Sequence, residues 1–144
     1  MKKSIILTFM VLFCFVQLSF AKTIRILMET VPDTRYIEEL LPEFEKETGI
    51  KVETEVIGYS DMHSKLVPQL LASQGSYDLI VVDFYWVGEF TKAGWLMPLD
   101  DLVRRDNIDV NRYVPALMNL VGRVDGTIYM LPFYNYSMAM VYRK

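Results

Sequence analysis

Two carboxylates, Glu29 and Asp83, each follow a short apolar run of strand character and each is followed by loop or cap residues. Carboxylates at the carboxyl ends of parallel strands face the region where open α/β sheets bind ligands. Such a pair could hydrolyse a glycosidic bond, one group as acid and the other as base or nucleophile. It could equally accept hydrogen bonds from the hydroxyls of a bound molecule. Nothing in the sequence tunes one of the two into an acid, which favours the acceptor role. Asp83 also has a second reading, as the N-cap of a following helix, and both readings stand. Tyr59, Phe84, Tyr85, Trp86, Phe133, Tyr134 and Tyr136 all fall in loops or at strand ends. Ring faces stack on apolar C–H faces, while carboxylates and amides take hydroxyls, so this mix suits an uncharged polyhydroxy ligand. Each ring also has core packing as its plainer alternative. Asn135, set between two tyrosines, is harder to read as core, and its amide offers both donors and acceptors.

Other chemistries lack their signatures. The first strand is followed by no Gly-x-Gly-x-x-Gly, and the chain holds no phosphate-cradling Gly-x-x-x-x-Gly-Lys-Ser/Thr and no Gly-x-Ser-x-Gly elbow. His63 is the single histidine and reads as a solvated helix residue, because a metal site needs several converging ligands. No cofactor and no metal are expected. The paired Asp100 and Asp101 read as a helix cap. The net charge is −3, and the 15 basic residues less Lys2 and Lys3 leave 13 against 18 acidic, a net −5. With no basic run, nucleic acid is not expected as a partner.

The elements that position these residues are legible in outline. Lys2 and Lys3 precede an apolar run over 5–16, and Ser19-Phe20-Ala21 supplies a small-x-small cut site. This reads as a secretory signal peptide, residues 1–21, cleaved after Ala21, and the run is too short for a permanent anchor. The single cysteine, Cys14, would leave with it, so the remaining chain has no thiol chemistry. The centre of the expected arrangement is 77–86, Tyr-Asp-Leu-Ile-Val-Val-Asp-Phe-Tyr-Trp. The aliphatic run 79–82 suits a central strand buried on both faces. Before it come a strand over 23–28, a helix carrying Tyr36, Ile37, Leu40, Leu41 and Phe44 and stopped by Gly49, and a strand over 50–57 with one wet face. A second helix carries Met62, Leu66, Leu70 and Leu71; Pro42 and Pro68 are expected to kink the two helices. Two consecutive βαβ units predict an α/β fold, a mostly parallel sheet flanked by helices. After it, a short helix over 86–93 is stopped by Gly94, and a helix over 111–121 is expected to turn Tyr113, Val114, Leu117 and Leu120 inward. Asp125-Gly126 predicts a turn, followed by strands over 127–131 and 137–142. The chain stops two residues after the last of these, which reads as a fragment of a longer protein or a truncated reading frame.

Several stretches together carry a resemblance. Residues 44–52, Phe-Glu-Lys-Glu-Thr-Gly-Ile-Lys-Val, resemble the helix-to-strand signature of extracellular solute-binding proteins of bacterial ABC importers, of the maltose-binding-like, sugar-binding type. Similar to that family in the same order are 77–80, Tyr-Asp-Leu-Ile; 94–101, Gly-Trp-Leu-Met-Pro-Leu-Asp-Asp; 126–132, Gly-Thr-Ile-Tyr-Met-Leu-Pro; and 140–144, Met-Val-Tyr-Arg-Lys. The resemblance implies a periplasmic-binding-protein-like fold of two lobes closing on a ligand. Residues 22–137 would be the N-terminal lobe, and 138–144 the hinge exit and first strand of a second lobe. It implies ligand contacts at Glu29 and Tyr36, at Asp83, Phe84 and Trp86, and at Tyr134 and Asn135. It implies capture of a sugar or oligosaccharide outside the inner membrane, delivery to ABC permease membrane subunits, and no chemical step. The alternative is an extracellular carbohydrate-active enzyme using Glu29 and Asp83; a sensory module is a third reading. A lone lobe is expected to expose apolar surface and to self-associate.

Overall fold

The computed structural model describes residues 22–72 and 74–134. The expected leader, Cys14, Asn135, Tyr136 and the expected last strand lie outside the described residues. The chain runs β1 (Thr23–Glu29), α1 (Pro32–Thr48), β2 (Lys51–Ile57), α2 (Tyr59–Leu71), β3 (Leu79–Ile80) and α3 (Phe84–Lys92). Then come α4 (Asp100–Arg105), a 3₁₀ turn (Val110–Arg112), α5 (Pro115–Leu117), a π-helical turn (Met118–Gly122) and the hairpin of β4 (Arg123–Val124) and β5 (Thr127–Ile128). Among the described residues no helix is long and apolar enough to cross a membrane.

The sheet has the order β2-β1-β3 and is parallel throughout, which bears out the α/β reading with two βαβ units. Successive side chains on a strand point to opposite faces. Leu27 and Met28 are neighbours on β1, and both are buried. Burial on both faces marks β1 as the central strand, a place the sequence reading assigns to 79–82. The run 79–82 instead contributes only two ladder residues, and Leu79 is 55 % exposed. A continuous aliphatic run signals demand for burial; it does not say which strand lies in the middle.

On the Leu27 face, Leu27, Leu66 of α2 and Phe90 of α3 form the buried core, with Ile57, Ile80, Val82, Trp86 and Trp95 packed around it. On the other face α1 is fastened to β2: the Glu45 carboxylate accepts from the Val52 amide at 2.7 Å, and the Thr54 hydroxyl donates to Glu38 at 3.0 Å. The helical spacing on α1 is as expected, but Tyr36, Leu40 and Phe44 are exposed while Ile37 and Leu41 are half-buried. A stripe that wide exceeds what a three-stranded sheet covers.

Gly49 ends α1 in the left-handed region at φ 69°, where a Cβ is unfavourable. Neither Pro42 nor Pro68 interrupts its helix. Both sit at exposed positions, so the carbonyl each leaves unbonded is on the solvent side. The helix expected over 111–121 is broken. Val114 precedes Pro115 and is therefore held extended, at φ −60° and ψ 120°, so a new helix starts at Pro115. Val114 and Leu120 face out, and the buried residues are Met118 and Gly122. Asp100 does not cap: Leu99 is the N-cap residue, and the Asp100 carboxylate accepts from the Ile128 amide at 3.0 Å. With Leu99 N donating to Ile128 O at 2.7 Å, this clamps the hairpin to α4. The Asp125-Gly126 turn forms as expected, both residues at positive φ.

Candidate functional site

The parallel register places the carboxyl ends of the strands along one edge. Glu29 pairs with Ile57, and the ladder continues through Thr30 N donating to Ile57 O at 2.8 Å. Beyond β3, Val81 N still donates to Leu27 O at 2.9 Å, and the chain then leaves the sheet at Asp83. Glu29 and Asp83 therefore stand at the same edge, in agreement with the spacing.

Each carboxylate is held by a neutral donor. The Tyr134 hydroxyl donates to Glu29, which ties the segment after the hairpin to the end of β1. Behind Glu29 the backbone is pinned by buried Thr34, whose hydroxyl donates to Glu29 O at 2.5 Å. Asp83 is the N-cap of α3 and accepts from the Tyr85 amide at 2.9 Å. The capping reading is thus realised, and it leaves acceptor capacity on the carboxylate, because an ionised carboxylate has about four lone-pair positions.

The next residue at this edge is Tyr59, in the first turn of α2. Its ring stacks on Trp86, centroids 5.5 Å apart and 15° between planes. Partial desolvation pushes the Tyr59 phenol above its ordinary value of 10.0; the nearby Asp83 carboxylate adds to this, and Glu29 contributes in the same sense. Tyr59, Asp83, Glu29, Trp86 and Tyr134 thus form one mouth of carboxylates, hydroxyls and ring faces. Phe84 and Tyr85 lie at its rim, exposed, with ring centroids 3.9 Å apart. Tyr36 sits on α1, 57 % exposed, with the Arg35 guanidinium 5.4 Å over its ring. Phe133 meets Tyr134 edge to face at 5.3 Å.

The sequence reading names Tyr59 among the loop aromatics without giving it a contact, and it sets His63 aside as solvated. The imidazole is partly solvated, as read, and its other side packs 5.1 Å from the Trp86 ring and 5.9 Å from Phe90, with Nε2 3.1 Å from the Glu89 carboxylate. A signal is present in the spacing: Tyr59 and His63 are one helical turn apart, as are Trp86 and Phe90, so two aromatic pairs at i, i+4 can interleave.

At the other end of the sheet, a cavity of about 500 Å³ is lined by Arg25, Glu53, Glu55, Lys65, Gln69 and Tyr77, among others. Its charges are already paired. Glu55 accepts from Lys65 and from the Tyr77 hydroxyl, the latter at 2.5 Å, and these hold its carboxyl below the ordinary range, Lys65 most strongly. Glu53 is lowered by Lys51 first and Arg25 next, at 3.3 and 3.1 Å. The face of β2 expected to be wet therefore lies beside α2 and carries an ion network.

Known proteins are similar to this chain in sequence and in fold. The sequence model of the family described as bacterial extracellular solute-binding protein matches residues 29–144. The chain is 31 % identical over 84 residues to the maltotriose-binding protein of Pyrococcus abyssi, covering 58 % of this chain and 18 % of that protein. It is 30 % identical over 78 residues to the erythritol/L-threitol-binding protein of Mycolicibacterium smegmatis, covering 54 % and 16 %. Among solved structures, an ABC transporter solute-binding protein from Agrobacterium radiobacter K84 in complex with ribitol superposes with a TM-score of 0.72 at 25 % identity, over 78 % of this chain and 29 % of that one. The sugar-binding protein MalE from Xanthomonas citri superposes at 0.67 with 29 % identity, over 75 % and 27 %. The chain spans less than a third of the length of each of these relatives. The family match begins at the carboxyl end of β1 and runs through every element that builds the mouth, and on it this chain belongs to the bacterial extracellular solute-binding proteins.

Proposed function

We propose that this chain contributes the N-terminal lobe of a receptor that captures a sugar, a polyol or an oligosaccharide outside the inner membrane and delivers it to the membrane subunits of an ABC permease. The observation that carries this reading is the convergence of Glu29, Asp83, Tyr59, Trp86 and Tyr134 at one sheet edge. Carboxylates held by neutral donors accept hydroxyl hydrogen bonds, and the stacked Tyr59 and Trp86 rings offer faces to C–H groups. Asn135 would add donors and acceptors beside Tyr134, with Tyr36 and Phe84 as outer contacts. Residues 22–137 make up this lobe, 138–144 lead into a second, and 1–21 are a leader removed after Ala21. The relatives named above bind maltotriose, erythritol or L-threitol, and ribitol, which sets the ligand class to test. No chemical step belongs to the cycle: ligand favours a closed form, which the permease recognises.

The test is a thermal-shift and calorimetric panel of ribitol, D-mannitol, erythritol, maltotriose and glucose against this chain and a full-length family member. A ligand that binds only the native state raises the melting temperature by mass action, about 2.7 kcal/mol of added stability at a hundred times Kd. A shift with a neutral polyhydroxy compound supports the reading. Consumption of the oligosaccharide, abolished by Glu29→Gln or Asp83→Asn, would replace it with a glycosidase.

A further inference from the structure

We propose that His63 is a positioning residue that sets the orientation of the Trp86 indole, and through it the Tyr59 stack, at the mouth. The proposal deepens the sugar-binding reading and rests on it for its effect on affinity.

Five rings form a continuous column from mouth to core. Tyr59 meets Trp86 at 5.5 Å, Trp86 meets His63 at 5.1 Å, His63 meets Phe90 at 5.9 Å, and Phe90 meets Trp95 at 5.4 Å. Phe90 is fully buried and anchors the column at its base. Tyr59 and His63 come from α2, Trp86 and Phe90 from α3, so the rungs alternate between the helices. Trp86 rests on two rings, His63, whose plane is turned 64° from the indole, and more distantly Phe90 at 6.2 Å. An aliphatic or phenyl side chain could fill that volume. What the imidazole adds is a polar anchor: Nε2 lies 3.1 Å from Glu89, one helical turn from Trp86 on α3. Glu89 fixes the imidazole, the imidazole fixes the indole, and the indole carries Tyr59 beside Asp83.

The arrangement responds to pH by geometry alone. From α3 the charged group facing the imidazole is Glu89; Asp83 and Glu29 lie on the Tyr59 side of the column. Protonation turns the Glu89 contact into an ion pair and places a cation beside the Trp86 ring. Both tighten the column when the imidazole carries a second proton. The pair is half-exposed, so the gain is modest, about two- to threefold in ligand affinity between pH 8 and pH 5.5.

The test has two arms on the intact chain. The first needs no ligand: the near-ultraviolet circular dichroism of Trp86 is isolated by difference from Trp86→Phe, which leaves Trp95, and is followed from pH 8 to 5.5. A single transition is expected in the parent chain, absent in His63→Phe and in His63→Gln, and weakened in Glu89→Gln. His63→Phe keeps a ring under the indole, and His63→Gln keeps a donor for Glu89, so loss of the transition in both reports the titrating anchor rather than unfolding. A Trp86 signal without pH dependence in the parent, or the same transition in His63→Phe, overturns the proposal. The second arm repeats titrations with ribitol and maltotriose at both pH values. The two- to threefold change should appear in the parent and vanish in both His63 variants. If neither compound binds the parent chain, the affinity effect of His63 in this lobe is overturned, and the first arm still decides whether His63 orients Trp86.

Discussion

The two ends of the central sheet carry carboxylates of the same kind and hold them differently. At the amino end, Glu53 and Glu55 are matched to Lys51, Arg25, Lys65 and Tyr77, and the groups close on one another. At the carboxyl end, Glu29 and Asp83 are held by a tyrosine hydroxyl and a backbone amide. A carboxylate neutralised by a cation is structural: adding a hydroxyl gains little there, because the strongest donors are in place. A carboxylate fixed by a neutral donor keeps its charge and most of its acceptor positions. The base network therefore serves the fold, and the mouth is the end we propose for recognition.

The largest effect should come from the core both ends share. Leu66→Ala removes a fully buried side chain that packs against Leu27 and Phe90 and should cost about 2–5 kcal/mol in urea unfolding. Reporters at mouth and base should be lost in one transition, and two separate transitions would break the comparison by making the ends independent. Next, Asp83→Asn should keep the helix cap, since asparagine caps about as well as aspartate. It should lower sugar affinity roughly tenfold, the loss of one charged hydrogen bond, with the melting temperature nearly unchanged. Equal losses of stability and affinity would mean that Asp83 only caps. Asp100→Ala should cost about 1–2 kcal/mol by leaving the amide of buried Ile128 without its acceptor. Because the hairpin leads to Tyr134, its affinity loss should exceed that of any change at the base.

The smallest effect is the pH response of the base. Glu53 and Glu55 are held below the ordinary carboxylate value of 4.5 in the folded chain. Their stabilisation is therefore present above that value and lost as pH falls below it, through the folded-state values. Both pairs are exposed, so the slope is shallow. Glu55→Gln should flatten it in melting curves taken from pH 5 to pH 3 and leave ligand affinity unchanged at neutral pH. An affinity loss in Glu55→Gln would show that the two ends are coupled.

Much of this can be read from residue order, for local reasons. The βαβ units, the Gly49 and Gly94 stops and the Asp125-Gly126 turn depend on spacing and backbone freedom within a few residues. The break at Pro115 is equally local and follows from the restriction on Val114. The placing of Glu29 and Asp83 at one edge follows from strand direction. Tyr59 and His63 are harder, because helical spacing names a face without naming what that face meets. Asp100 is misread as a cap because its partner, Ile128, lies 28 residues on.

The sequence by itself determined the period of each element, the parallel direction of the strands and thus the edge at which Glu29 and Asp83 stand. These follow from backbone sterics and from the short reach of capping and turn interactions. Only the tertiary structure decided that β1 is the middle strand, that the wet face of β2 holds an ion network, and that five rings from two helices and the loop beyond them stack into one column. Each of those depends on contacts between residues distant in the chain, whose pairing is set by packing in three dimensions.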